Sequence, residues 1–412
     1  MSTGVLKRRR KIHVCLRNAP SLLNRHKLFL SVGHDEYWSG QQRQNVESAR
    51  DSGLSLAFFS GNEVFWRTRW EDDFRTLVVY KESQERVKKD PELEEWTGTW
   101  RDGRPINPLG AQPENSLTGT LFTVNAWRND ALEIPSRFSK LRFWRDTSVA
   151  EMSWRPGSED KRVIRPGLLG HEWDEDLDNG QRPPGLVRLS ETTVDNVWMI
   201  QDYGANYDSG TATHHLVMYR SVSGSLVFGA GTVQWSWGLD PHHDSPGGIP
   251  PDKATPTNIR VGVDQMGPEP DIQQATLNMF CDMGVMPGVT RLASGLHMPS
   301  ASADSRKPVI TEAVLRCEDI CHVDVTSEDA GGQVALVEFS INNQDLSSWH
   351  PAVWRTPQHY SVPLIIRNVS DTRDMSIGYS FLPDQDYEIR IRAVDDSYNV
   401  GDSIILPFKT KQ

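Results

Sequence analysis

The run His34-Asp35-Glu36-Tyr37-Trp38 brings imidazole, carboxylate and phenol together within a few residues, a set able to move protons and to offer nitrogen and oxygen ligands to a metal. Across a βα turn His34 and Glu36 can point to one side. Glu36 is then an oxygen ligand for a hard metal and His34 a hydrogen-bonding or proton-transfer group, the alternative being a His that only caps the next helix. Asn62, in Ser60-Gly61-Asn62, can project an amide toward a developing oxyanion or serve simply as a left-handed turn residue. FFSGNE does not match the GxSxG nucleophile elbow, so Ser60 is not read as a hydrolase nucleophile. In His171-Glu172-Trp173-Asp174-Glu175-Asp176-Leu177-Asp178-Asn179-Gly180 the alternating acids suggest a calcium loop. An EF-hand counted from Asp174 would need Gly and Glu where Asn179 and Gly185 stand. Glu172, a carboxylate beside an aromatic, is expected to have a raised pKa suited to general base work, set against a plain solvated acidic loop. His214-His215 and His242-His243-Asp244 are poor chelators, since adjacent strand residues face opposite ways. Trp235 and Trp237 read as core before they read as a sugar platform.

The elements that must hold these groups follow from hydrophobic patterning. Lys27 to Gly33 is a continuous apolar run expected to form a strand buried on both faces. Ser39 and Gln42 form a capping box for a helix from about Gln41 to Asp51 that closes at Gly53. Leu54 to Ser60 is a second buried strand. Strand, helix, strand is a βαβ unit with a parallel pair, and its site lies beyond the carboxyl ends of the strands, where GHDEYW and SGN stand. After Thr76 to Lys81, residues 82 to about 115 read as a long surface insertion. Short strands are expected around Thr118 to Val124, Leu169 to Trp173, Val197 to Gln201, His215 to Tyr219 and Leu226 to Phe228 in a mixed sheet, with a helix over about Asp271 to Asp282. Residues 291 to 307 read as linker. From Pro308 alternating segments separated by turns predict a β-sandwich over 308 to 412.

The 412 residues, 37% hydrophobic and 24% charged, exclude general disorder, and 44 basic against 55 acidic residues, a net charge of -11, exclude counterion-driven binding to nucleic acid. No apolar run long enough for a membrane span occurs, and Lys7-Arg8-Arg9-Arg10-Lys11 lacks the apolar stretch of a signal peptide, so residues 1 to 20 read as a poorly ordered start and a cytoplasmic location is the default. The four cysteines, Cys15, Cys281, Cys317 and Cys321, read as buried thiols.

Several segments together resemble one family, the large (beta) subunit of N,N-dimethylformamidase and its relatives: LFLSVGHDEYWS, LAFFSGNEVFWRTRWE, WTGTWRD, ENSLTGTLFTVN, HEWDEDLDNGQRPPGL, TATHHLVMYR and VFGAGTVQWSWGLD. The resemblance spans residues 21 to 290. It implies a glutamine-amidotransferase-like (flavodoxin-like) α/β core elaborated with extra strands, and VEFS, SSWHPA and IRIRAVDDSYN resemble an appended immunoglobulin-like domain. It also implies hydrolysis of a small amide to formate and an amine at mononuclear ferric iron bound by two tyrosines and a glutamate. Carried over, Glu36 resembles the glutamate ligand, and His34, Asn62, Glu172 and Lys81 resemble the active-site histidine, asparagine, glutamate and lysine. In that reading Glu172 accepts a proton while His34 and Asn62 stabilise the oxyanion. A small subunit or a homo-oligomer is the implied partner.

The family places both tyrosine ligands before GHDEYW, whereas the first tyrosine here is Tyr37. A chain truncated or replaced at its N-terminus is therefore expected, with a lone Glu36 holding iron poorly. Two functions stand: a metal-assisted amide hydrolase whose activity hangs on replacement ligands, and a noncatalytic binding protein using Trp235, Trp237, Trp349 and Trp354 as platforms. A polysaccharide-acting enzyme has no carboxylate spacing to support it.

Overall fold

The computed structural model describes residues 20–244, 255, 258–260, 267–289, 291–317, 321–342, 348–364 and 385–409. The basic run at 7 to 11 and Cys15 lie outside them. Strands make up 38% of the described residues and helices 14%, the strands distributed over several small sheets. The flavodoxin-like α/β core implied by the family resemblance is therefore not what forms. The βαβ unit itself is present: strands Leu28–Val32 and Ser55–Phe59 pair in parallel, joined through helix Gly40–Asp51. Leu226–Gly229 adds a second parallel neighbour, but Val217–Arg220 and Val187–Arg188 complete the sheet antiparallel. Beyond the first crossover, short alternating segments return as hairpins, so few helices are needed to cover the sheet faces.

Helix Gly40–Asp51 starts where the capping box predicted: Ser39 and Gln42 exchange side chain to backbone hydrogen bonds. Gly53 follows with φ +103, a conformation that suits glycine. The Leu28–Val32 strand is not buried on both faces. It forms the edge of the five-stranded sheet, leaving Leu30 and Val32 exposed, whereas its neighbour Ser55–Phe59 is buried throughout. Helix Pro270–Asp282 lays Ile272, Ala275 and Met279 into the core that holds Phe59 and Phe228.

Beside this sheet stands a small closed barrel of Leu121–Asn125, Glu172–Glu175, Thr192–Ile200 and Tyr207–His214. The residues between 82 and 115 are no surface insertion. Trp96, Thr97, Thr99, Trp100 and Asp102 are buried, and the Glu82 carboxylate accepts the backbone N–H groups of Lys89, Asp90 and Thr97. Charge in that segment is spent inward on caps and ion pairs such as Arg69–Asp90, so its polarity does not report exposure.

From Val309 onward two four-stranded antiparallel sheets face one another across a core of Val323, Val325, Val337, Phe339, Tyr360, Val362, Ile389 and Ile391. Leu336, Val394 and Tyr398 of this sandwich belong instead to the main core, with Leu141 and Trp144. Cys317 and Cys321 are not buried thiols: they face each other across the Val309–Cys317 and Cys321–Glu328 pair and form a disulfide. Cys281 is the buried free thiol.

Candidate active site at the strand ends

Two loops leave the parallel strand pair, and backbone hydrogen bonds zip them together. The carbonyl of Asp35 accepts Val64 N–H, and that of Glu36 accepts both Phe65 and Trp66 N–H. Tyr37–Ser39 then runs parallel to Trp66–Thr68. Gly33, at φ +74, turns the chain out of the first strand and delivers His34. In the second loop Asn62 and Val64 sit at φ 50 and 54, a costly conformation for a β-branched residue that the surroundings must enforce. Asp174 supplies that constraint. Its Oδ1 accepts Asn62 N–H at 2.9 Å, its Oδ2 accepts the Thr120 hydroxyl at 2.8 Å, and a Cβ on Gly61 would come within 2.9 Å of Oδ1. Burial pushes the Asp174 carboxyl up to about 7.

The barrel contributes the third wall. Glu172 opens strand Glu172–Glu175 and lies in register with Asn125, the last residue of Leu121–Asn125. Its carboxylate is surrounded by donors: His34 Nε2 at 3.3 Å and Asn62 Nδ2 at 3.2 Å on Oε2, and Asn125 Nδ2 at 3.4 Å on Oε1. Burial alone would raise its pKa, yet the hydrogen bonds from His34 and Asn62 outweigh it and hold Glu172 below the usual carboxylate value. The expected raised pKa at Glu172 is thus overturned by the donors His34 and Asn62, which come from separate chain segments. In return, the hydrogen bond to Glu172 raises the His34 imidazole, against the opposing effect of burial. His171 packs its ring 5.6 Å from that of His34, and burial lowers its pKa.

Glu36 and Lys81 lie beside this contact, within electrostatic reach of it. Glu36 Oε1 accepts Trp66 Nε1–H at 2.9 Å, and burial, then the charge of Glu172, raises its pKa. The Lys81 ammonium lies 4.7 Å from the centre of the Trp66 ring and 5.4 Å from that of Tyr37, and its charge opposes the rise at Glu36. All five residues expected from the sequence therefore converge: His34, Asn62 and Glu172 in contact, Glu36 and Lys81 beside them. Asn62 is the left-handed turn residue, and its side-chain amide donates to Glu172. His171, Asn125 and Asp174 were not expected at the site. His171 carries the one usable signal, its adjacency to Glu172; Asn125 and Asp174 carry none.

The remaining motifs resolve into structure. The acids after Glu172 form neither a calcium loop nor a solvated face. Asp174 braces Asn62, Asp176 pairs with Arg182 and Arg188, and Asp178 meets His350 at 2.7 Å. His214 contacts the Ala230 carbonyl at 2.9 Å, and His243 stacks on Trp237 at 4.1 Å. Trp235 and Trp237 are core, Trp349 is covered by Arg392 and Trp354 packs on Trp154, so the four do not form an open platform. Among the described residues no helix is long and apolar enough to cross a membrane.

Glu36 spends one oxygen on Trp66, and the phenol of Tyr207, close enough to sense the charges of Glu172 and Glu36, has its pKa raised chiefly by burial. The donor atoms that do gather are those of His34, His171 and Glu172, and Glu36 is outside that group.

No curated protein matches the chain. A family model described as N,N-dimethylformamidase beta subunit-like, C-terminal, matches residues 12–246, which hold both strand-end loops and the barrel. The chain belongs to that family.

Proposed function

We propose that this chain is a hydrolase of the C–N bond of small linear amides. The observation that carries the reading is the contact of His34, Asn62 and Glu172, drawn from three distant segments to within 3.3 Å, in a member of this family. Glu172, kept ionised by its donors, orients His34 through Nε2 and stabilises the imidazolium that forms when His34 takes a proton from water. The water oxygen bonds to the amide carbon, the C–N bond breaks, and His34 returns the proton to the leaving amine, leaving the free carboxylate. Lys81, which makes no ion pair among the described residues, supplies positive charge for the carbonyl oxygen as it becomes an oxyanion. A working base must be neutral, so the rate rises as pH climbs through the raised pKa of His34. The family description is that of a beta subunit, and a companion polypeptide is part of this proposal.

The test is formate release from N,N-dimethylformamide and related small amides by the purified full chain, alone and with a candidate companion subunit. Turnover is expected, and His34→Gln should reduce it by roughly a hundredfold or more. Turnover that persists unchanged in His34→Gln and Glu172→Gln removes the pair from the reaction.

A further inference from the structure

The neck of the sandwich gathers carboxylates that the chemistry above does not use. Asp304 lies in the segment that leads into the sandwich, Asp329 in the turn between strands Cys321–Glu328 and Val334–Ile341, and Asp395 at the end of strand Asp386–Asp395. One carboxylate oxygen from each lies within 4.8 Å of the other two. Both oxygens of Asp329 and Oδ2 of Asp304 are buried and receive no hydrogen bond, and Asp395 is wholly buried. Burial first, and then the charge of Asp329, push the Asp395 carboxyl up to about 6, against the hydrogen bonds it accepts. The two cations of the entering segment are turned elsewhere: Arg306 donates to the Ala330 carbonyl, and Lys307 pairs with Asp402. Like charges buried together without donors are costly, and folded chains that keep them pair them or coordinate a cation.

We infer that Asp304, Asp329 and Asp395 bind one calcium ion, which clasps the sandwich to the segment entering it. The donors are all carboxylate oxygens, the set a hard cation takes, without the nitrogen or sulfur that zinc favours. Calcium bonds oxygen at about 2.3–2.6 Å, so two oxygens on opposite sides of one ion stand about 4.6–5.2 Å apart, and three oxygens within 4.8 Å of one another can share it. Magnesium keeps several of its waters, whereas the free oxygens here are closed off from solvent. The ligands are held ready. Asp395 Oδ1 accepts the N–H groups of Ser397 and Asn399 at 2.8 Å each, and its Oδ2 accepts the Asn399 amide at 2.9 Å. Asp304 Oδ1 accepts Arg306 N–H at 3.0 Å, which leaves Oδ2 for the ion. Gly331 and Gly332 let the turn close over the acids, since a Cβ on the first would collide with the Asp304 carboxylate and a Cβ on the second with that of Asp396. Asp396 in turn accepts Arg142 N–H at 2.9 Å, so the ion lies next to a contact between the sandwich and the main core. These acids belong to none of the loops around Glu172, and the inference does not rest on amide hydrolysis.

Full chain stripped with EDTA and desalted is titrated with CaCl2, and in parallel with MgCl2, by isothermal calorimetry, and its Tm is read with calcium and with EDTA. Saturation near about one equivalent of calcium and a Tm that rises with the ion are expected. Asp329→Asn and Asp304→Asn, each checked for folding by circular dichroism, should weaken calcium binding by roughly tenfold or more. In EDTA, Asp329→Asn should melt no lower than the parent, because it removes a charge that the ion otherwise offsets; a carboxylate with a merely structural role would lower the Tm with or without calcium. Glu312→Gln, at an exposed acid of strand Val309–Cys317, should bind calcium as the parent does. Absence of saturable calcium binding by natively folded chain overturns the inference. So does Asp329→Asn binding with the parent's affinity, or magnesium binding as tightly as calcium.

Discussion

Replacing Glu172 with Gln tests the coupling on which the site depends. The carboxylate receives three side-chain donors, at 3.2, 3.3 and 3.4 Å, from Asn62, His34 and Asn125. An Ala at this position leaves the two amides without an acceptor and costs about 2 kcal/mol. The isosteric Gln keeps one carbonyl acceptor, and its new amide hydrogens can satisfy the buried Oδ1 atoms of Asn62 and Asn125, which lack partners. What remains lost is the ion pair to a half-exposed His34, so Glu172→Gln should cost about 1 kcal/mol. The sign of its pH dependence follows from the two shifts. The folded pKa of His34 is raised, so its contribution is complete below the unfolded value of 6.5 and fades as pH rises through the folded one. The folded pKa of Glu172 is depressed, so its contribution is complete above 4.5 and fades as pH falls through the folded value. The gap between parent and variant should be widest at roughly pH 5 to 6.5 and narrow toward alkaline pH. Urea unfolding across pH, with the His34 ring followed by NMR, measures both quantities. A gap that stays flat from acid to alkaline pH, or an unmoved His34 titration in the variant, refutes the coupling.

Three further perturbations follow. Gly61→Ala pushes a methyl to 2.9 Å from Asp174 Oδ1 and 3.0 Å from the Gly231 carbonyl, so it should cost about 1–3 kcal/mol and displace Asn62, read as lost stability together with lost formate release. Asp174 titrates near 7 when folded against an ordinary 3.8, so the folded state retains a proton that the unfolded chain gives up, and stability falls as pH rises between those values. Asp174→Asn should flatten that slope and be at least as stable as the parent at pH 8 in thermal melts; a less stable variant there contradicts it. Asp178→Ala leaves the wholly buried His350 of the sandwich without its 2.7 Å partner and should cost about 2 kcal/mol, seen as faster limited proteolysis near residues 300 to 308.

Much of the site was legible because its residues stand at the ends of strands that local patterning identifies. An apolar run, a capping box and a second run point to a parallel βαβ unit, and any parallel pair places both of its exit loops on one side. His34, Glu36 and Asn62 follow from that alone. Glu172 could be suspected only as one acid among several, since nothing local separates it from Asp174, Asp176 or Asp178. Contacts distribute those acids among a dyad, a loop brace, an arginine clamp and a histidine partner. The fold class was misjudged because a flavodoxin-like core was carried over from the family resemblance, with which the single βαβ crossover agreed. Hairpin returns depend on which segments pair over distances of tens of residues, and periodicity cannot report that. The sequence determined which groups are present and that two strand-end loops would share a crevice. The tertiary structure decided that Glu172 is ionised and held by donors, that His171 lies beside it, and that Glu36 bonds Trp66 instead. Protonation and ligation are set by burial and by partners from remote segments, which exist only once the chain has closed on itself.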